Sequence, residues 1–203
     1  MSTKVGLDRI LFQLGVESPS GYVAGMHIRF AGPLIQYQTY DQAWIDHYTD
    51  KAYVHRDPMI AWGFSEVGTI RWSEIEIPDP FDIWGQAASF DLNFGLAISY
   101  GPLSSRSIVG CARSDREFLD EEIKRIECLV VALHEATDPP ESLTGAQKEA
   151  LQMIADGYRH TAAAAKIGIS ESALKARLNS ARNRLLARTT AEAIQRAKDY
   201  KLL

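Results

Sequence analysis

Thr161-Ala-Ala-Ala-Ala-Lys-Ile167, Gly168-Ile169-Ser170 and Glu171-Ser-Ala-Leu-Lys-Ala-Arg-Leu-Asn-Ser-Ala-Arg-Asn-Arg-Leu185 follow one another without a break. They read as two helices joined by a tight turn. Gly168 allows the left-handed backbone such a turn needs, Ile169 is an apolar plug between the helices, and Ser170 is a good N-cap, its hydroxyl accepting an orphan amide of the next helix. Leu174, Leu178, Ala181 and Leu185 recur at helical spacing and predict a buried stripe. Lys175, Arg177, Arg182 and Arg184 lie off that stripe with Asn179 beside them. A helix with one apolar and one basic, amide-bearing face suits the DNA major groove. Residues 143–203 are therefore predicted to form an all-α helix-turn-helix domain.

The charge balance agrees with this division. Residues 143–203 hold 11 Lys+Arg against 5 Asp+Glu, a balance of +6; residues 1–142 hold 11 against 21, a balance of −10. A basic tail behind an acidic body fits phosphate contact by the tail alone. Asp138-Pro-Pro-Glu-Ser142 marks a linker, because two prolines forbid helix continuation and stiffen the chain.

Ahead of the linker, residues 1–137 predict an α+β domain: an antiparallel sheet with helices on both faces, an α-β-α sandwich. Helices are expected over residues 3–15, from Asp41 through Trp44 and Tyr48, from Asp57-Pro58, near 81–90, and over 116–136 with Phe118, Ile126, Val130 and Leu133 on its apolar face. Residues 21–30 and 34–40 read as a hairpin around Ala31-Gly32-Pro33; 69–75, 94–100 and 107–112 read as extended. Cys111 and Cys128 have no metal-ligand spacing, and each sits among apolar residues, so buried free thiols are expected.

Between Tyr40 and Trp72 the chain carries Tyr40, Trp44, Tyr48, Tyr53, Asp57, Trp62 and Trp72. A carboxylate amid that much aromatic surface needs a donor partner or a polar ligand group, since an unpaired buried charge costs several kcal/mol. Two explanations fit: the aromatics are core and Asp57 caps the helix begun by Pro58, or together they bind a ligand.

The intervals of Trp44-x3-Tyr48, Asp57-Pro58, Trp72 and Gly95, together with Leu143-Thr144, Leu151, Ala155-Asp-Gly157 and Gly168-Ile-Ser170, resemble the LuxR family of quorum-sensing transcription factors over nearly the whole chain. The resemblance implies an autoinducer-binding domain over 1–137, a linker at 138–142 and a helix-turn-helix DNA-binding domain over 143–203. It implies an N-acyl-homoserine lactone ligand and no cofactor or metal. Trp44 would donate to the lactone carbonyl, Asp57 would accept from the ligand amide, Tyr40 would donate to the acyl carbonyl, and Tyr48 and Trp72 would be walls. Met26, Ile28, Ile35, Val54, Ile60, Phe90, Leu96 and Val109 are candidates for the acyl sleeve. In the tail, the resemblance implies base or nearby phosphate contacts from Lys175, Arg177 and Asn179, and backbone contacts from Arg182, Arg184 and Arg188. A homodimer through the helix near 190–201, with Ala193, Ile194 and Ala197 as its apolar side, would read a palindromic double-stranded operator. RNA polymerase or a related LuxR-type protein would be further partners.

The chain departs from the family at Gln147 (usually Glu), at Ala162-Ala163 (usually Glu-Ile), at Asn179 (basic in several relatives) and at Ser99 (commonly Pro). Tyr158 or Met153 is expected to fill the room left at Ala163. These departures keep open an antagonist that pairs with a full-length relative, and a regulator that is ligand-independent or senses a non-lactone signal. No HExxH, Gly-rich phosphate loop or nucleophile elbow is present, so no enzyme is expected. The amino terminus has no signal-peptide core and no run of about 18 apolar residues occurs, so a cytoplasmic protein without a membrane span is expected.

Overall fold

The computed structural model describes residues 2–28, 32–138, 143–200 and 202–203, and only the backbone of 2–5. The chain forms two compact units, Met1–Thr137 and Asp138–Leu203. The expected linker, apart from Asp138, lies outside the described residues, as do Phe30 and Ala31 at the hairpin and Lys201.

The first unit runs α1 (Ser2–Glu17), β1 (Tyr22–Ile28), β2 (Ile35–Gln38), α2 (Gln42–Asp50), α3 (Pro58–Ser65), β3 (Gly68–Arg71), α4 (Ile83–Ala88), β4 (Phe94–Tyr100), β5 (Arg106–Arg113) and α5 (Asp120–Ala136). Its five strands are ordered β2-β1-β5-β4-β3, every pair antiparallel. Successive side chains of a strand point to opposite faces, so β5 sorts the helices. Ser107 meets His134 of α5, with Oγ 2.8 Å from Nδ1, while Ile108 packs against Gly63 of α3. On the α5 face the Tyr22 hydroxyl donates to the Leu11 carbonyl of α1, and Glu17 of α1 pairs with Arg125 of α5 at 2.7 Å. On the α3 face Ala112 packs with Trp44 of α2 and Ile83 and Ala87 of α4.

Two local interactions set the helix starts. Asp41 Oδ1 accepts from the Ala43 amide at 2.8 Å and opens α2; Pro58 stands at the first turn of α3 behind the Asp57 cap. The last helix starts later than residue 116, because the Glu122 carboxylate reaches back to the Leu119 amide (2.7 Å) while Arg116 and Arg113 hold its oxygens. Phe118 is buried but precedes the helix. The extended segment expected over 69–75 stops at Arg71, and Trp72–Glu74 forms a single 3-10 turn. Cys111 is buried, but Cys128 is exposed, against expectation: it lies on α5 away from the Ile126–Val130–Leu133 stripe that faces the core.

His27 interrupts β1 with a positive φ of 51°, at a register shift against β5. The bulge turns its fully buried ring toward α5, where Nδ1 lies 2.9 Å from Ser105 Oγ and Nε2 3.1 Å from the His134 carbonyl.

The second unit holds α6 (Gly145–Ala155), α7 (His160–Lys166), α8 (Glu171–Arg184) and α9 (Thr190–Asp199). Leu174, Leu178, Ala181 and Leu185 are all buried in one core with Leu143, Leu151, Ala163 and Ala164. Gly168 takes φ +73°, and the Ser170 hydroxyl accepts from the Ala173 amide at 3.2 Å. Gln147 closes a capping box with Thr144 and donates to Ser180 Oγ at 2.9 Å, tying α6 to α8. One expectation holds in part and one fails. Of the two residues expected beside Ala163, Tyr158 is 37% exposed and lies against Lys166, whereas Met153 packs on the core that contains Ala163. Ala193 and Ala197 do not form a free dimer face, because both are fully buried in the core of their own unit.

Candidate functional site

α2 and α3 bring the aromatic residues together over one face of the sheet. Trp44 is buried, with Tyr48 edge-on at 5.5 Å and Phe90 at 5.4 Å. Tyr53 packs edge-on against Tyr48, and its hydroxyl donates to Gln86 Oε1 at 2.7 Å. Asp57 is 5% exposed. Its Oδ1 accepts from the Met59 amide at 2.7 Å and its Oδ2 from the Tyr48 hydroxyl at 2.8 Å. Asp57 therefore does cap α3, and it is also the polar centre of the cluster. A carboxylate has about four acceptor positions, so these bonds, with a further backbone donor at Ile60, leave room for one more. Burial raises its pKa above the usual Asp value, and the Tyr48 and Met59 donors oppose that rise. Burial first, and then Asp57, push the Tyr48 phenol upward. Burial raises Tyr40 well above the usual tyrosine value, with smaller contributions from Cys111 and Asp57.

Tyr40, Trp44, Tyr48 and Asp57 thus meet as the spacing predicts, but two play different parts. Tyr48 is a hydrogen-bond partner of Asp57 rather than only a wall. The Tyr40 hydroxyl donates to the Gly110 carbonyl at 3.0 Å, across the sheet face. Trp72 lies over Gly95, where a Cβ would fall 2.1 Å from the indole Cδ2. Its other neighbour is Trp84, with ring centroids 4.9 Å apart.

The proposed sleeve needs correction. Strand pairing puts Val109 opposite Ala24 and Ile98, Leu96 opposite Cys111, and Met26 opposite Ile35. By alternation all four candidates (Val109, Leu96, Met26 and Ile35) share the α5 face, away from Asp57. Val54 is half exposed. The face beneath Tyr40 and Met59 carries Gly25, Ala97, Gly110 and Ala112 instead, small residues that let Met59 and Tyr40 approach the sheet closely. Hydrophobicity alone does not separate the two faces of the sheet; the pairing register does. Gln86, which joins His47 and Tyr53, carries no signal in the sequence.

Residues 24–137, more than half of the chain, match the family model of the autoinducer-binding domain. The chain belongs to the autoinducer-binding-domain family. This chain is 27% identical to the transcriptional activator protein AnoR of Acinetobacter nosocomialis, over 84% of this chain and 75% of that protein. It is 28% identical to the HTH-type quorum-sensing regulator RhlR of Pseudomonas aeruginosa, over 66% of this chain and 61% of that protein, less than two thirds of its length. Among solved structures, SdiA in complex with octanoyl-rac-glycerol superposes with a TM-score of 0.56 over 98% of this chain and 88% of that one, at 18% identity, a likeness of fold. The autoinducer-binding domain is thus related to those of quorum-sensing regulators of the LuxR type. Among the described residues, no helix is long and apolar enough to cross a membrane, and no group of three or more His, Cys, Asp or Glu could hold a metal ion.

In the second unit, α8 separates its polar residues into two flanks. Lys175, Asn179 and Arg182 fall on one side at helical intervals, and Arg177 and Arg184 on the other. Exposed Ser172, Ala176 and Asn183 lie between them, a strip that counting charges alone overlooks. Lys175 pairs with Glu171 at 2.7 Å, and Arg177 with Glu149 of α6 at 3.1 Å. Arg184 and Arg188 are exposed, and Arg182 is partly buried.

Proposed function

We propose that this chain is a ligand-responsive transcriptional regulator that takes an N-acyl-homoserine lactone in its autoinducer-binding domain and binds a palindromic DNA operator as a homodimer through α8. The observation that carries the ligand reading is Asp57: a buried acceptor with room for one more donor, ringed by aromatic side chains above a glycine- and alanine-lined sheet face. A neutral amphiphile with a small polar head needs two or three placed hydrogen bonds and an apolar sleeve. In this reading Asp57 accepts from the ligand amide, Trp44 donates to the lactone carbonyl, and Tyr40 leaves the Gly110 carbonyl to donate to the acyl carbonyl. Trp72 and Tyr48 flank the ring, and the acyl chain runs over Gly25, Ala97 and Gly110 beside Ile28 and Ile60.

In the second unit, Lys175 and Asn179 on one flank and Arg177 on the other address base edges or nearby phosphates; Arg182, Arg184 and Arg188 hold the backbone. Arg and Lys suit guanine, and Asn suits adenine. Dimerisation uses a surface other than the buried Ala193–Ala197 side of α9.

A second reading, a regulator that needs no lactone, is favoured by one observation: Tyr40 with Gly110, and Tyr48 with Asp57, already satisfy one another. One experiment separates the two. The chain is expressed with and without a panel of acyl-homoserine lactones, and the organic extract of purified protein is analysed by mass spectrometry. Near-equimolar lactone, lost with Asp57→Asn, supports the receptor. Soluble lactone-free protein unaffected by every lactone supports the second reading.

A further inference from the structure

A cleft of about 400 Å³ opens beside the tilted Trp72–Trp84 pair, bounded also by Ser73, Asp79, Phe94 and Glu117. Three buried side-chain atoms among its lining residues have no hydrogen-bond partner among the described residues: Trp72 Nε1, Asp79 Oδ1 and Glu117 Oε2. Such atoms are uncommon in folded proteins, and each costs about 1–3 kcal/mol when left unsatisfied. All three belong to residues that line this one cleft. The other oxygen of each carboxylate is held by the protein: Asp79 Oδ2 accepts from the Trp84 amide at 2.9 Å, and Glu117 Oε1 from the Ser73 hydroxyl at 2.7 Å. Both side chains are therefore fixed in place, each with one acceptor left over.

The orphan set has a definite complement. Two carboxylate oxygens call for donors, and one indole N–H calls for an acceptor. Paired indole faces favour a cation or an apolar body. The local charge selects the cation: residues 72–95 contain Glu74, Glu76, Asp79, Asp82 and Asp91 and no Lys, Arg or His. The cations beside the cleft are already paired: Arg71 with Glu74 and Asp120, Arg113 with Asp115 and Glu122, and Arg116 with Glu122.

We propose that the Trp72–Trp84 cleft binds a small organic cation of the ammonium class that also carries a carbonyl or hydroxyl acceptor. Its ammonium donates to Asp79 Oδ1 and Glu117 Oε2, its acceptor takes the Trp72 indole N–H, and its body lies against Trp84. The ligand differs in charge from the neutral lactone, and the site is built from Asp79, Trp84 and Glu117, none of which the lactone reading uses. Only Trp72 is common to both, so occupancy of one site is expected to be felt at the other.

The test uses the full chain and L-leucinamide, at mildly acidic pH where its amine is charged, against N-acetyl-L-leucinamide, the neutral counterpart with the same body. Binding is followed by tryptophan fluorescence and calorimetry. Saturable binding of leucinamide, at least about tenfold weaker for the neutral analogue and for Glu117→Gln, is expected; tenfold corresponds to about 1.4 kcal/mol. Trp84→Leu, a second variant, is expected to weaken it as well. Equal response to both compounds, no saturable response to either, or undiminished binding by a folded Glu117→Gln or Trp84→Leu chain overturns the proposal. The lactone panel on Asp57→Asn is read separately, so failure of that reading leaves this result standing, and the converse.

Discussion

Gly95 and Trp72 are a matched pair at the scale of single residues. The indole occupies the volume where any Cβ at position 95 would stand, 2.1 Å from Cδ2. Gly95→Ala must therefore displace Trp72, and overpacking of this kind costs about 1–3 kcal/mol. The expected outcome is a lower melting temperature; an unchanged melt with Trp72 in place would contradict the contact. Asp57→Asn makes a second case. Burial raises the Asp57 pKa, so the folded state holds its proton more tightly than the unfolded state does. Between the ordinary Asp value of 3.8 and the raised folded value, stability contributed by this group falls as pH rises, and above the folded value its cost is fully present. Denaturant titrations across mildly acidic pH are expected to show that dependence in the parent chain and to lose it in Asp57→Asn. Glu122 acts in the opposite sense. Hydrogen bonds from Arg116, and with them the Leu119 amide and Arg113, hold it at about 2 against an ordinary 4.5. Its stabilisation is present above 4.5 and is lost as pH falls toward 2. Glu122→Gln is expected to flatten that acid limb; a parallel loss of stability in both chains would refute the assignment.

At the scale of elements, boundaries and amphipathic faces were legible wherever one physical signal acted alone. Asp41, Pro58 and Ser170 mark helix starts because capping is a local interaction, and the Leu174–Leu178–Ala181 stripe is buried because one face of α8 has a core to cover. Several expected sleeve residues fall across the sheet from Asp57 because β4 and β5 are buried on both faces. Alternation then carries no contrast, and only the observed pairing register separates Gly110 from Val109. The aromatic cluster was legible from its density in the sequence. The link from Gln86 to His47 and Tyr53, and the placing of Glu117, Asp79 and Trp72 around one cleft, depend on contacts across more than thirty residues or on separate loops, which spacing does not encode. Gln147 keeps the helix start in place despite its departure from the family: its amide oxygen accepts from the Thr144 amide and its amide nitrogen donates to Ser180. Gln147→Ala is expected to cost about 1–2 kcal/mol through the lost cap and the lost α6–α8 tie, read as a lower unfolding midpoint. On α8, Arg177→Ala is expected to cost about 1–3 kcal/mol of operator affinity and to relax specificity, whereas loss of a backbone contact weakens all sequences alike. Gel-shift titration against specific and scrambled duplexes distinguishes these, and unchanged affinity would remove Arg177 from the interface.

At the scale of the whole molecule, ligand binding and folding are coupled quantities. A ligand at about 100 times its dissociation constant adds about 2.7 kcal/mol to stability, a large share of the 5–15 kcal/mol typical of a domain. An acyl-homoserine lactone is therefore expected to raise the melting temperature of the first unit; a melt that stays put sinks the lactone reading. The chain also carries its own gauge of this coupling. Cys111 is fully buried, with its thiol pushed up to about 12, while Cys128 is exposed on α5. A thiol reagent meets Cys128 in the native chain but reaches Cys111 only when the sheet opens. The two cysteines thus form a built-in clock and its reference: Cys128 reports how fast the reagent works, and the lag of Cys111 behind it measures how often the autoinducer-binding domain comes apart.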